Sequence, residues 1–155
     1  MKRHKSIIPL SHDHHTTLMM AQAIKKNFIN TDLGNSTISN KIKYVIQAYN
    51  TELLPHFNHE ETLLFPLAIG KDAELDKLIN EIVEEHDKIG EAISHIKDGN
   101  QEQNLDDLGF LIESHIRKEE RIVFLKIEEI VGDELNIIEG QIIAVSDSCG
   151  IEGVE

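Results

Sequence analysis

His56 and Glu60 stand four residues apart, and so do His115 and Glu119. On a helix this spacing sets an imidazole and a carboxylate on one face, about one turn (~6 Å) apart. Carboxylate and imidazole together suit iron, manganese or zinc, and carboxylates can bridge two ions. The two pairs also sit in similar stretches of chain. HFNHEETLLFP and HIRKEERIVFL each read His, an apolar residue, two variable residues, Glu-Glu, two further residues, an apolar residue and Phe. Upstream of each lies an acid–histidine pair, Asp13-His14 and Glu85-His86. The pattern is a histidine, then a histidine with a glutamate, and then the same again.

The elements that must position these residues can be read from hydropathy. Gly34-Asn35-Ser36, Gly70-Lys71-Asp72, Asp98-Gly99-Asn100 and Gly132-Asp133 are the clear breaks. Between them, residues 7–29, 37–67, 73–96 and 105–131 carry apolar side chains at helical spacing. Four amphipathic helices joined by short polar loops predict an all-α fold, an up-down-up-down four-helix bundle. Pro55 falls inside the second segment and is expected to kink it or interrupt its hydrogen bonding. Pro66 sits where that helix should stop. The apolar run 135–145 predicts a short fifth helix. Residues 1–131 are read as the bundle and 132–155 as a C-terminal helical extension of the same domain.

The decisive feature is that His56, Glu60, His115 and Glu119 all fall on the apolar stripe of their own helix. Two surface contacts at this spacing would each contribute only a few tenths of a kcal/mol and have no reason to face a core. A polar group facing a core is costly unless it is paired or liganded, and a metal ion supplies the counter-charge that a buried glutamate needs. His14 and His86 lie on the stripes of helices one and three, which makes one core histidine per helix. The phase of helix one favours His14 over His15 without settling it. Glu61 and Glu120, five residues after their histidines, rotate off the shared face, and Glu120 is held as a reserve ligand. His59 and His15 are candidates for a further position.

Composition narrows the function classes. The chain has 155 residues, enough for one domain and one core, with 40% hydrophobic residues. A formal net charge of −13 argues against nucleic-acid binding, which needs clustered Lys and Arg. No apolar run is long enough for a membrane span, and the basic start MKRHKSIIPLSHDHH has no apolar stretch behind it, so a cytoplasmic location is expected. A lone cysteine, Cys149, excludes an internal disulfide and a cysteine-based zinc knuckle. There is no Gly-rich phosphate loop and no nucleophile motif, so the residues leave open whether the protein turns over a substrate. A plain metal-free bundle is the competing reading.

LSHDHH, HFNHEETLLFP, EEHDKIGEAI and HIRKEERIVF are similar to the hemerythrin-like, HHE cation-binding family over about residues 7–131. The resemblance implies a four-helix bundle with a non-haem di-iron site, two Fe ions bridged by two carboxylates and an oxo or hydroxo group. Carried onto this sequence, the terminal ligands are His14, His56, His86 and His115, and the bridging carboxylates are Glu60 and Glu119. Manganese or zinc remains compatible with the same donors. The resemblance implies a small diatomic ligand or peroxide as partner: dioxygen, nitric oxide or peroxide, bound, sensed or reacted with. Iron storage, iron sensing and iron–sulfur cluster repair are the alternatives within it. Oxygen-carrying members have two histidines on helix three, four residues apart. Here the residue four after His86 is Gly90, and where their last carboxylate is an aspartate this chain has Glu120. One metal is therefore expected to keep an open position, which favours reactive chemistry or labile metal over oxygen transport.

Overall fold

Thr37, Asp72 and Asn100 each stop the chain in extended backbone and accept a hydrogen bond from the N–H three residues on, at 3.1, 2.9 and 3.1 Å. These are helix N-caps, and they start three of the four long helical rods. The computed structural model describes residues 2–145, in which helices joined by turns and loops are the regular structure and no strand is present among the described residues. Rod one is α1 (Ile8–Ala23), with Pro9 in its first turn, where the missing N–H is not needed. Rod two runs through α2 (Ile38–Ala48), a π turn (Tyr49–Leu53), α3 (Leu54–His59), a second π turn (Glu60–Leu64) and α4 (Phe65–Ala68). Rod three is α5 (Ala73–Ser94). Rod four is α6 (Gln101–Lys118), a π turn (Glu119–Val123) and α7 (Phe124–Val131), and a 3-10 helix (Gly132–Ile138) comes after it.

Three boundaries differ from the hydropathy reading. Rod one stops well short of residue 29 because the N–H of Lys26 is taken by the Asp106 carboxylate at 2.8 Å and Asn27 adopts a positive φ of 63°. Rod four starts four residues early, at the Asn100 cap. The apolar run 135–145 makes a 3-10 helix over its first part instead of a fifth α-helix, and its buried side chains Leu135, Ile138 and Ile142 seal one end of the core. Cys149 lies outside the described residues.

The interruption expected at Pro55 takes the form of a π turn. The N–H of Leu54 bonds to the carbonyl of Tyr49, and that of Phe65 to the carbonyl of Glu60, each five residues back; Pro55 and Pro66 come next. Proline is not the whole cause, because rod four does the same without one: the N–H of Phe124 bonds to the carbonyl of Glu119. The sequence echo Glu-Glu-x-x-apolar-Phe is thus an echo in backbone geometry. π turns inside α-helices are often found at functional sites.

α1 packs against α6, and α6 also packs against α5 and α2. The α1–α6 approach is close because of Gly109, where a Cβ would stand 2.6 Å from the carbonyl oxygen of Ala21. The apolar core is divided in two. One part joins Ile7 and Leu10 to Leu64, Phe65, Ile79, Ile82, Phe124 and Ile127. The other joins Met20 and Ile24 to Val45, Leu53, Phe57, Ile89, Leu108 and Ile112. Between them, on every rod, sits a buried polar layer. No helix among the described residues is long and apolar enough to cross a membrane.

Candidate metal centre

The polar layer consists of His14 on α1, His56 on α3, Glu60 opening the second π turn, His86 on α5, His115 on α6 and Glu119 opening the third. All six are buried, and Glu60 and Glu119 are fully so. Their donor atoms fall into two groups, His14–His56–Glu60–Glu119 and Glu60–His86–His115–Glu119, each with all its donors within 4.8 Å of one another. The two glutamates belong to both groups.

Every histidine of the layer turns one ring nitrogen inward and gives the other to a carboxylate on a neighbouring rod. Nδ1 of His14 donates to Glu120 at 2.7 Å, and Nδ1 of His56 to Asp13 at 3.0 Å. Nδ1 of His86 donates to Glu61 at 2.7 Å, and Nδ1 of His115 to Glu85 at 2.8 Å. With the proton on Nδ1, each Nε2 presents a lone pair to the centre, and the carboxylate fixes both ring orientation and tautomer. Glu61 and Glu120, which turn off the His–Glu face of their own rods, reach the histidines of the rods beside them. Asp13 and Glu85, the acidic neighbours of His14 and His86, do the same in return.

Electrostatics sharpen the picture. Burial pushes Glu60 well above the usual carboxylate range, and the neighbouring Glu119 adds to the shift. Burial also holds His56 down, to about 4, and lowers His86. For His115 burial acts downward, but Glu119 and Glu85 outweigh it and carry the ring up to about 9. Burial opposes the charge on Glu119, yet His115 beside it keeps this carboxylate well below its usual range. Without a bound cation the layer therefore disfavours charge on Glu60 and favours an ion pair between Glu119 and His115, whose Nε2 lies 2.5 Å from Glu119 Oε1.

These donors fit a metal. Both carboxylate oxygens of Glu60 and of Glu119, and Nε2 of His86 and His115, are buried and turned toward one another, with His86 Nε2 3.2 Å from Glu60 Oε1 and His115 Nε2 2.5 Å from Glu119 Oε1. Crowding this many donor atoms into a buried layer is costly unless a cation is shared among them. Nε2 of His14 and Nε2 of His56 face each other at 3.0 Å. Two bonds of about 2.1 Å meeting at a right angle would leave their nitrogens about this far apart. Two cationic side chains reach the carboxylates of this layer and its surround, Arg3 at Glu120 and Lys118 at Glu85.

The other histidines stay outside. His15 is exposed while His14 is buried, which settles the phase of rod one. His59 belongs to neither donor group, although its Nδ1 is buried without a hydrogen-bond partner among the described residues. Glu120 is engaged with Nδ1 of His14 rather than with the centre. At Gly90 a Cβ would stand 2.6 Å from the Tyr49 hydroxyl, so Tyr49 fills the space that a further side chain would need. A cavity of ≈ 10 Å³ adjoins the centre, lined by His14, His56 and His115 together with Leu53, Phe57 and Ile112 among others.

A family model described as the Hemerythrin HHE cation binding domain matches residues 6–127. That span contains all six residues of the layer and the four carboxylates behind the histidines. No curated protein and no solved structure matches the chain.

Proposed function

Because the chain belongs to the hemerythrin HHE cation-binding domain family, we propose that its buried layer holds two iron ions and that the protein binds, senses or reacts with a small molecule: dioxygen, nitric oxide or peroxide. His14 and His56 would hold one ion and His86 and His115 the other, with Glu60 and Glu119 common to both. Membership of both glutamates in both donor groups supports the number two. The split of the core supports rods that alternate in direction: one part takes the N-terminal halves of rods one and three with the C-terminal halves of rods two and four.

Bound iron would supply an electron source or sink and an open coordination position. The chain supplies the rest. Asp13, Glu61, Glu85 and Glu120 hold the four imidazoles in one tautomer. Phe57 stacks on His86 at 3.8 Å and Phe124 on His14 at 5.4 Å, which restricts both rings from turning.

The cavity carries the choice of partner. At ≈ 10 Å³ it has room for a molecule of about the size of water, and apart from the histidines and Thr17 its lining is apolar. That suits a diatomic molecule or peroxide and leaves no space for an organic substrate. The test is an optical spectrum of anaerobically purified, iron-loaded protein before and after each of dioxygen, nitric oxide and hydrogen peroxide. At least one should change the iron absorption promptly. If the iron-loaded protein keeps one unchanged spectrum with all three, the small-molecule reading fails.

A further inference from the structure

Arg3 lies outside the matched span 6–127, yet it reaches the metal layer through one intermediary. Its Nη2 donates to the Glu120 carboxylate at 2.8 Å and to the Glu120 carbonyl at 2.9 Å, and its Nη1 donates to Glu128 at 2.6 Å. The other oxygen of Glu120 accepts the Nδ1 proton of His14. The guanidinium also lies over the ring of Phe124, 5.6 Å from its centroid, and Phe124 is the ring stacked on His14. Arg3 thus touches both groups that hold His14 in place.

The segment around Arg3 is tied down on both sides. The N–H of His4 donates to Glu128 at 2.5 Å, and the buried Ser6 hydroxyl donates to the carbonyl of Leu135 at 2.7 Å. Lys5 pairs with Glu139 at 2.8 Å. The N-terminal segment and the residues after rod four therefore form one clasp over the His14 end of the layer. This gives the C-terminal residues 132–142 a task that their sequence does not announce. Rod four holds an internal parallel: Lys118 donates to Glu85 at 2.9 Å, and Glu85 accepts from Nδ1 of His115. Each donor group thus has one histidine whose supporting carboxylate is clamped by a cation.

We propose that Arg3 is a positioning residue for one of the two metal ions: it fixes Glu120, and through Glu120 the His14 ring, so that the clasp sets how firmly the ion at His14 and His56 is retained. The proposal rests on the two-ion reading of the layer. Without Arg3 the Glu120 carboxylate is free to turn away, and His14 loses the bond that fixes its tautomer. Loss of such a support typically weakens a metal site by about 10- to 100-fold. The ion at His86 and His115 has its own clamp in Lys118 and should not respond.

The experiment is release of Fe(II) from the anaerobically loaded full-length protein to a chromogenic chelator, comparing the wild type with Arg3→Ala, Arg3→Lys, Glu120→Gln and the Arg3→Ala/Glu120→Gln double variant. Far-ultraviolet circular dichroism checks that each variant is folded. In Arg3→Ala one release phase should accelerate about 10-fold while the other keeps its wild-type rate. Arg3→Lys should restore part of the difference, and the double variant should release no faster than Glu120→Gln alone. A wild type that binds two ions while Arg3→Ala leaves both phases unchanged, or speeds both equally, overturns the clasp and leaves the metal centre standing. A wild type that binds no iron overturns both.

Discussion

Nε2 of His14 and Nε2 of His56 meet at 3.0 Å in the middle of the bundle, each ring having given its other nitrogen to a carboxylate. With the proton of each ring on Nδ1, the two Nε2 lone pairs face each other, which is unfavourable unless a cation lies between them. The contact is thus a stability statement as well as a binding one. Stripping metal from the protein should lower its melting temperature by on the order of 10 °C at saturating metal, judged from the mass-action stabilisation of a site filled far above its dissociation constant. Calorimetry with and without chelator checks this; identical melting curves would contradict it.

Glu60→Leu separates stability from binding. Both oxygens of Glu60 are buried among the other donor atoms of the layer, with Nε2 of His86 at 3.2 Å and Nε2 of His56 at 3.4 Å from Oε1, and both donor groups contain this residue. The variant should lose both metal ions. Its metal-free form should be more stable than the metal-free wild type by about 1–3 kcal/mol, because a buried carboxyl gives way to an aliphatic side chain. Urea titration of the two metal-free proteins measures the difference, and a less stable variant would show that Glu60 has a structural partner.

Glu113 gives a pH dependence away from the centre. Its carboxylate accepts from Lys25 at 3.0 Å and from Arg117 at 3.2 Å, and also from Gln22, tying rod one to rod four. The Lys25 hydrogen bond is the chief cause of a pKa below the usual 4.5. A carboxylate with a lower pKa in the folded state stabilises above its unfolded pKa, and that contribution is lost as the pH falls through the folded one. Metal-free Glu113→Gln should therefore be less stable than metal-free wild type at neutral pH, by under about 1 kcal/mol given solvent screening. The gap should close as the pH is lowered below 4.5. A gap that stays constant with pH would contradict the assignment.

The four rods were legible because each carries a continuous apolar stripe, and the starts of rods two and three because glycine breaks come just before them; rod four starts at the Asn100 cap, ahead of its stripe. The two His-x-x-x-Glu pairs were legible for the same reason: they interrupt those stripes with polar groups. The choice between His14 and His15 was not, because the first rod's phase depends on how it docks against α6. The carboxylates behind the histidines were hidden more deeply. Glu61 serves His86 and Glu120 serves His14, and each pairing crosses between rods, so it depends on rotations that the π turns set. Asp13 and Glu85 stood next to histidines in the sequence, yet the histidines they serve are on other rods. Arg3 was invisible for the plainest reason: nothing local says that a chain end folds back over residues more than a hundred positions away.

Gly109→Ala tests the packing that brings rods one and four together. The new Cβ would stand 2.6 Å from a backbone oxygen and 2.9 Å from Lys25 Cγ, and the backbone oxygen cannot turn aside. Alanine is the better helix former by roughly 1 kcal/mol, but overpacking of this kind costs about 1–3 kcal/mol. The variant should be destabilised in chemical denaturation. A stabilised variant would show that α1 and α6 can move apart freely.

The central claim is that the layer of four histidines and two glutamates is a metal centre. The direct measurement is elemental analysis of the full chain, purified anaerobically from iron-replete cells, against protein concentration by amino-acid analysis. The two overlapping donor groups predict about two metal ions per chain, predominantly iron. A fully folded protein with no bound metal, whose stability does not change when iron is added, would contradict it.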